Sequence, residues 1–122
     1  MIRSTNKASA WLLSVALMSL VPNAQAMVDC TGTVTNLSLQ LNTTGTVTLS
    51  LSGGPSWVYL CDVDGAGRNG VSPTVCRSMY ASLMAAYQTG KPVLIRFYDH
   101  AACDAIPGWA DAGALGWTRV AW

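Results

Sequence analysis

The stretch Ser72–Pro92, SPTVCRSMYASLMAAYQTGKP, decides how this chain is organised, because it predicts one helix with both ends marked. Ser72 is a favourable N-cap, and Pro73 fits the first helical position, where no N–H is needed. Gly90 is the expected stop, because glycine adopts the left-handed conformation there, and Pro92 cannot continue a helix. Apolar residues recur three and four positions apart: Cys76, Met79, Tyr80, Leu83, Ala86 and Tyr87. We therefore expect one amphipathic helix between Ser72 and Gly90.

Strand patterns lie on both sides of this helix, three before it and two after it. Each is rich in apolar and β-branched residues, most of them at alternate positions: Gly32–Leu41, Thr46–Leu51, Trp57–Cys61, Val93–Tyr98 and Gly116–Trp122. The first pattern changes phase, and a one-residue bulge near Asn36 would bring Val34, Leu37, Leu39 and Leu41 to one face. The second alternates cleanly, which predicts that its even-numbered residues Thr46, Thr48 and Ser50 face water.

The order β-β-β-α-β-β defines the fold class as mostly β with one helix. Five antiparallel strands in so short a chain favour a closed sheet, because closure removes exposed strand edges. We therefore predict a small OB-fold-like five-stranded barrel with the helix crossing or plugging it.

The segment Met1–Ala26 is typical of a secretory signal peptide. It has two basic residues near its start, an apolar run over residues 10–21, and Ala-Gln-Ala at residues 24–26 as a cleavage site. The apolar run is shorter than the roughly 20 residues that span a bilayer. The alternative is that this segment is not cleaved and is retained as a membrane anchor. Cleavage leaves Met27–Trp122 as a single exported domain, periplasmic or secreted, without a membrane span.

Charge and composition exclude several classes of protein. The chain has 122 residues, seven basic and six acidic, and 51% of its residues are hydrophobic. Low charge with high apolar content excludes an intrinsically disordered chain. No basic cluster occurs, so no nucleic-acid partner is expected, because that binding needs several clustered Lys or Arg side chains.

All four cysteines, Cys30, Cys61, Cys76 and Cys103, follow the cleavage site. An even number in a short exported chain indicates two disulfides. A zinc site is the alternative, but no C-x₂₋₄-C spacing occurs and His100 is the only histidine. We predict two disulfides and no metal site, and the residues alone leave three pairings open.

The loop at residues 62–71 contains two formal motif matches that we reject. Its G-x-G-x-x-G glycines have dinucleotide-fingerprint spacing, but that motif must open a helix inside a βαβ unit. Its Asp-x-Asp start suggests calcium, but Ala66 and Pro73 occupy the later ligand positions of an EF-type loop. We expect a disulfide-tied surface loop and no cofactor.

Catalysis has little support. The chain has no glutamate and no G-x-S-x-G motif. Asp99 and His100 with Asp104 could form an acid–base pair, but a single loop histidine is more often in solvent. We predict that the protein is not an enzyme.

Four tryptophans follow the cleavage site: Trp57, Trp109, Trp117 and Trp122. We expect at least two of them to fill the small core. In a protein that binds sugars, exposed ones would stack on pyranose rings.

The order of several motifs resembles a known family. The aromatic-x-Cys strand Tyr59–Cys61 is followed by a loop to Cys76 and then by a helix with Ser82-Leu83. The helix leads into Ala86–Ile95, AYQTGKPVLI. This order is similar to the binding (B) subunits of subtilase-cytotoxin and pertussis-like toxins and to related small exported bacterial proteins of unknown role. The resemblance covers Cys30–Tyr98.

This resemblance implies an OB-fold, a Cys61–Cys76 disulfide and, with it, a Cys30–Cys103 disulfide. It also implies a homo-oligomeric ring of five subunits, a toxin A-chain as partner, and binding of sialylated or other glycans. Thr31 occupies the position of the family's glycan-contacting serine. Phe97, or Tyr98 after a one-residue shift, occupies that of its tyrosine.

We therefore predict a secreted, non-catalytic, glycan-binding module with Thr31, Phe97 and Tyr98 as its tentative contact residues. The alternative is a periplasmic or secreted protein-interaction module, an inhibitor or immunity-like partner of another secreted protein, without a glycan site.

Overall fold

The computed structural model describes residues 26–120, which form five strands and one α-helix in the predicted order. The elements are β1 Val28–Leu39, β2 Thr46–Leu51, β3 Val58–Asp62, α1 Pro73–Thr89, β4 Pro92–Phe97 and β5 Leu115–Val120. A 3₁₀ turn at Cys103–Ala105 lies between β4 and β5. The mostly-β class with one helix is confirmed. The predicted signal peptide, apart from Ala26, and the last two residues of the predicted fifth strand lie outside the described residues.

The strands form one antiparallel sheet in the order β3-β2-β1-β4-β5. The first half of β1 pairs with β4 and the second half with β2, and the predicted bulge lies between Val34 and Asn36. The sheet is open, with β3 and β5 at its edges. A short parallel bridge between Tyr59 and Asp111 joins the β3 edge to the segment before β5. β3 and β5 themselves are not paired in the described residues, so the predicted closure of the five strands into a barrel is not observed.

The helix has the predicted ends. The Ser72 hydroxyl accepts a hydrogen bond from the N–H of Val75, and Gly90 has a φ of 66°. The buried side is narrower than the sequence predicts, since it contains Cys76, Leu83 and Ala86 while Tyr87 is 47% exposed. Tyr87 lies on the same side of the helix as Leu83, about 40° around it, but in the last turn, where its side chain is only half covered. Within residues 26–120, no helix has both the length and the apolar character needed to cross a membrane.

Both disulfides are present with the pairing that the resemblance implies. Cys61–Cys76 joins β3 to the first turn of α1, and Cys30–Cys103 joins β1 to the 3₁₀ turn. The Cα atoms are 5.7 Å apart in each pair. The helix and the loop after β4 are therefore both fixed covalently to the sheet.

The apolar core follows the predicted alternation in β2 and β4, where every second side chain is buried: Val47, Leu49, Leu51, Val93, Ile95 and Phe97. Leu41 departs from its prediction. It follows the end of β1 and is 99% exposed.

The other side of β2 is not wet as predicted, because Thr46, Thr48 and Ser50 are also buried. Polar neighbours cover this side. Asn42 donates to the Thr46 hydroxyl at 2.9 Å, and Gln40 donates to the Thr48 hydroxyl at 3.2 Å. The Ser50 hydroxyl accepts from the backbone N–H of Trp57 at 2.7 Å. Burial without a partner would be costly, and each of these hydroxyls has one.

Candidate functional site

One exposed surface contains two of the three residues that the sequence proposes for ligand contact. In the β1–β4 pair, Asp29 lies opposite Arg96 and Thr31 opposite Leu94. Thr31 is exposed while Cys30 beside it is buried, so the odd-numbered side chains of β1 point outward here. We call this surface the β1–β4 face. It consists of Asp29, Thr31, Leu94, Arg96 and Tyr98.

The two adjacent aromatic candidates lie on opposite sides of the sheet. Phe97 shares its side with Val93 and Ile95 and is fully buried, with its ring edge-on to His100 at 6.4 Å between ring centroids. Tyr98 is 36% exposed and follows the end of β4. Phe97 is therefore a core residue that a ligand cannot reach, and Tyr98 is the aromatic residue at the surface.

A two-point ion pair lies at the centre of the β1–β4 face. Arg96 Nε is 2.7 Å from Asp29 Oδ1, and its Nη2 is 2.9 Å from Oδ2. The hydrogen bonds from Arg96 lower the pKa of the Asp29 carboxyl. The same contact raises the pKa of the Arg96 guanidinium, to which Tyr98 also contributes.

The stem of Arg96 lies against β5 at a glycine. A Cβ built on Gly116 would be 2.9 Å from the Cβ and Cγ atoms of Arg96, so a larger residue would displace that side chain. Sequence reasoning missed Asp29 and Arg96. Their spacing could have indicated them, because side chains two residues apart in a strand lie on the same side of the sheet. Asp29 is two residues from Thr31, and Arg96 is two residues from Tyr98.

The charged side chains of the loop at residues 62–71 are all engaged in ion pairs. In the Asp-x-Asp motif, Asp62 pairs with Arg68 at 2.9 Å. Asp64 pairs with Arg77 at 2.7 Å. Residues 66–72 line a shallow cleft of about 350 Å³, in which Arg68 is the charged side chain and is already ion-paired. Across the described residues, no three His, Cys, Asp or Glu side chains are grouped as a metal site would require.

Asp99 and His100, which the sequence suggests for acid–base chemistry, both form hydrogen bonds with the backbone of the segment before β5. His100 is half-buried rather than in solvent, and its Nε2 is 2.9 Å from the carbonyl oxygen of Ala112. Asp99 Oδ2 accepts from the N–H of Ala114 at 2.8 Å. Both contacts fix the segment that leads into β5, which gives these two residues a structural role.

Comparison with protein-family models, curated proteins and solved structures finds no match for this chain.

Proposed function

We propose that the exported chain is a non-catalytic binding module that takes a saccharide on the β1–β4 face. One observation carries the proposal. A hydroxyl, a guanidinium and an exposed aromatic ring, from Thr31, Arg96 and Tyr98, share one solvent-facing side of two paired strands. Saccharides present hydroxyl groups and apolar C–H surfaces, so they suit a site that offers both hydrogen-bonding groups and an aromatic ring.

The ion pair supports this function by preorganising the site. Asp29 holds the guanidinium of Arg96 at two points before any ligand arrives. Binding to a prearranged surface loses less conformational entropy than binding to mobile side chains. The resemblance implies sialylated or other glycans as the ligand class, and the Arg96–Asp29 pair, which is balanced in charge, does not by itself select acidic sugars.

Export is part of the proposal. The signal-like segment Met1–Ala26 predicts it, and the two disulfides support it because such bonds persist in oxidising compartments. Fractionation of the producing cell and N-terminal sequencing test this point. We expect the mature protein to start at Met27 and to be found in the periplasm or the medium.

The direct test of function is a glycan array probed with the mature protein, followed by calorimetry on each glycan retained. Thr31→Ala should weaken binding about fivefold, the equivalent of about 1 kcal/mol for one lost hydrogen bond. Thr74→Ala is the matched control, because Thr74 is an exposed threonine on α1. An array on which the protein binds nothing rejects the proposal, as does unchanged affinity in both Thr31→Ala and Tyr98→Ala.

The alternative, a protein-interaction or inhibitor module, is favoured by two exposed apolar side chains at opposite ends of α1. Val75 is 54% and Tyr87 47% exposed, and Arg77 is the one charged residue of this helix. A ring of identical subunits, or a toxin A-chain, would use such a surface. Native mass measurement of the mature protein tests the ring. If Tyr87→Ser dissociates an assembly or abolishes capture of one identified secreted partner while the array stays blank, this alternative replaces the saccharide proposal.

A further inference from the structure

Two tryptophans form a stacked pair outside the apolar core. The Trp57 and Trp109 rings have centroids 5.1 Å apart and planes within 6° of parallel. Trp57 is half-buried, and Trp109 is 62% exposed. We call this pair the tryptophan platform. Trp57 supports one side of the Trp109 ring, and most of the Trp109 side chain remains in solvent.

Backbone hydrogen bonds, rather than the rings, hold the two segments together. The N–H of Trp109 donates to the carbonyl of Trp57 at 2.8 Å. The N–H of Tyr59 donates to the carbonyl of Ala110 at 2.9 Å, and the N–H of Ala112 donates to the carbonyl of Tyr59 at 3.0 Å. The segment before β5 is thus fixed along the β3 edge without any requirement for an indole at position 109.

The platform is built at a conformational cost. Trp57 and Trp109 have φ values of 55° and 54°, in the left-handed region that bulky side chains rarely adopt. Glycine or asparagine would occupy these positions with less strain. Strained backbone of this kind is concentrated at binding sites, where it places a side chain that the ligand needs.

A charged rim continues the platform along the same two segments. Tyr59 is bridged to Asp111, two residues beyond the tryptophans on each segment. The guanidinium of Arg68 lies 5.7 Å from the centre of the Tyr59 ring and is ion-paired with Asp111, whose side chain is 56% exposed. An accessible carboxylate and a guanidinium therefore lie two residues along the paired segments from the stacked rings.

We propose that the tryptophan platform is a binding site for a neutral hexopyranose. The exposed side of Trp109 packs against the apolar C–H face of the sugar ring, and Asp111 accepts a hydrogen bond from a sugar hydroxyl. An aromatic plane with a carboxylate two residues away along the chain suits a pyranose, which has C–H groups on its face and hydroxyls around its perimeter. Arg68 offsets the charge of Asp111, which suits a neutral sugar, and the site shares no residue with the β1–β4 face.

Affinity electrophoresis of the mature protein tests this site, in gels containing neutral β-glucan or galactomannan. Calorimetry with a soluble oligosaccharide of the retarding polymer then gives the affinity. Trp109→Asn removes the ring yet suits the left-handed backbone, so the variant should fold. We expect it to lose at least about tenfold in affinity, whereas Trp109→Phe should stay within about threefold. Leu41→Ala, which removes an apolar side chain that is 99% exposed, is the control.

The outcomes separate this site from the β1–β4 face. Neutral-sugar binding that is lost in Trp109→Asn and unchanged in Thr31→Ala and Tyr98→Ala supports the platform. If no glycan binding depends on Thr31 or Tyr98, the β1–β4 face is rejected. If no neutral polysaccharide retards the wild type, or if Trp109→Asn binds as the wild type does, the platform proposal is rejected. It is also rejected if a proline-rich peptide binds at Trp109 while the oligosaccharides do not.

Discussion

The hydroxyl of Thr46 donates a 2.7 Å hydrogen bond to Oδ1 of Asp62, and both side chains are buried on the side of β2–β3 that faces away from the apolar core. Arg68 Nε reaches the same carboxylate oxygen at 2.9 Å from the loop beyond β3. Burial raises the pKa of Asp62, but the hydrogen bonds from Arg68 and Thr46 outweigh it, so the pKa lies below its ordinary value. This network explains why a strand face that alternation predicts to be wet is covered.

Arg68→Ala should lower the free energy of unfolding by about 2 kcal/mol, because it leaves the buried carboxylate of Asp62 without its cation. Arg77→Ala is the matched control, since Arg77 pairs with Asp64 in the open, where both side chains are more than half exposed. That pair should contribute less than about 1 kcal/mol. Urea unfolding of both variants measures the difference in unfolding free energy. Equal losses of stability would contradict the larger contribution assigned to Arg68.

Stability should fall in acid through the same carboxylate. The folded-state pKa of Asp62 is below 3.8, the ordinary value for an unfolded chain. Its contribution is therefore present above that value and is lost as the pH falls through the folded-state pKa. The unfolding free energy of the wild type, measured from about pH 5 to pH 2, should decline more steeply than that of Asp62→Asn. Parallel curves would exclude Asp62 as a source of the acid sensitivity.

The two disulfides should differ in their contribution. Cys30–Cys103 closes a sequence separation of 73 and Cys61–Cys76 one of 15. Removing the longer link should cost about 2–5 kcal/mol and exceed the shorter one by about 1 kcal/mol, because more unfolded-state entropy is restored. Guanidinium unfolding of the two paired Cys→Ser variants provides the comparison. A larger loss from Cys61→Ser with Cys76→Ser would reverse the expected order.

Adjacent substitutions at Phe97 and Tyr98 should separate stability from binding. Phe97→Ala empties a fully buried position and should cost about 3–5 kcal/mol. Tyr98→Ala should change stability by less than about 1 kcal/mol, as surface substitutions commonly do, and should weaken saccharide binding. Thermal unfolding and calorimetry on the same samples test both effects. Loss of binding in a folded Phe97→Leu variant, with normal binding in Tyr98→Ala, would reassign the site.

Local sequence signals predicted the secondary structure well. The cap at Ser72 and the stop at Gly90 act within one helical turn, and the alternation of β2 and β4 is visible in consecutive residues. The bulge near Asn36 follows from a phase change inside one strand. These features are local, so neighbouring residues are enough to determine them.

The sequence by itself thus determined the element order and the core side of β2 and β4, which includes Phe97, and the family resemblance supplied the disulfide pairing. Only the tertiary structure decided that Thr31 and Arg96 share an outer face, because that depends on which strands pair and in what register. It also decided that Thr46 is covered by Asp62 and Arg68, and that Trp57 stacks on Trp109. The reason is that these contacts join residues far apart in the chain, and no periodicity within a segment encodes its distant partner.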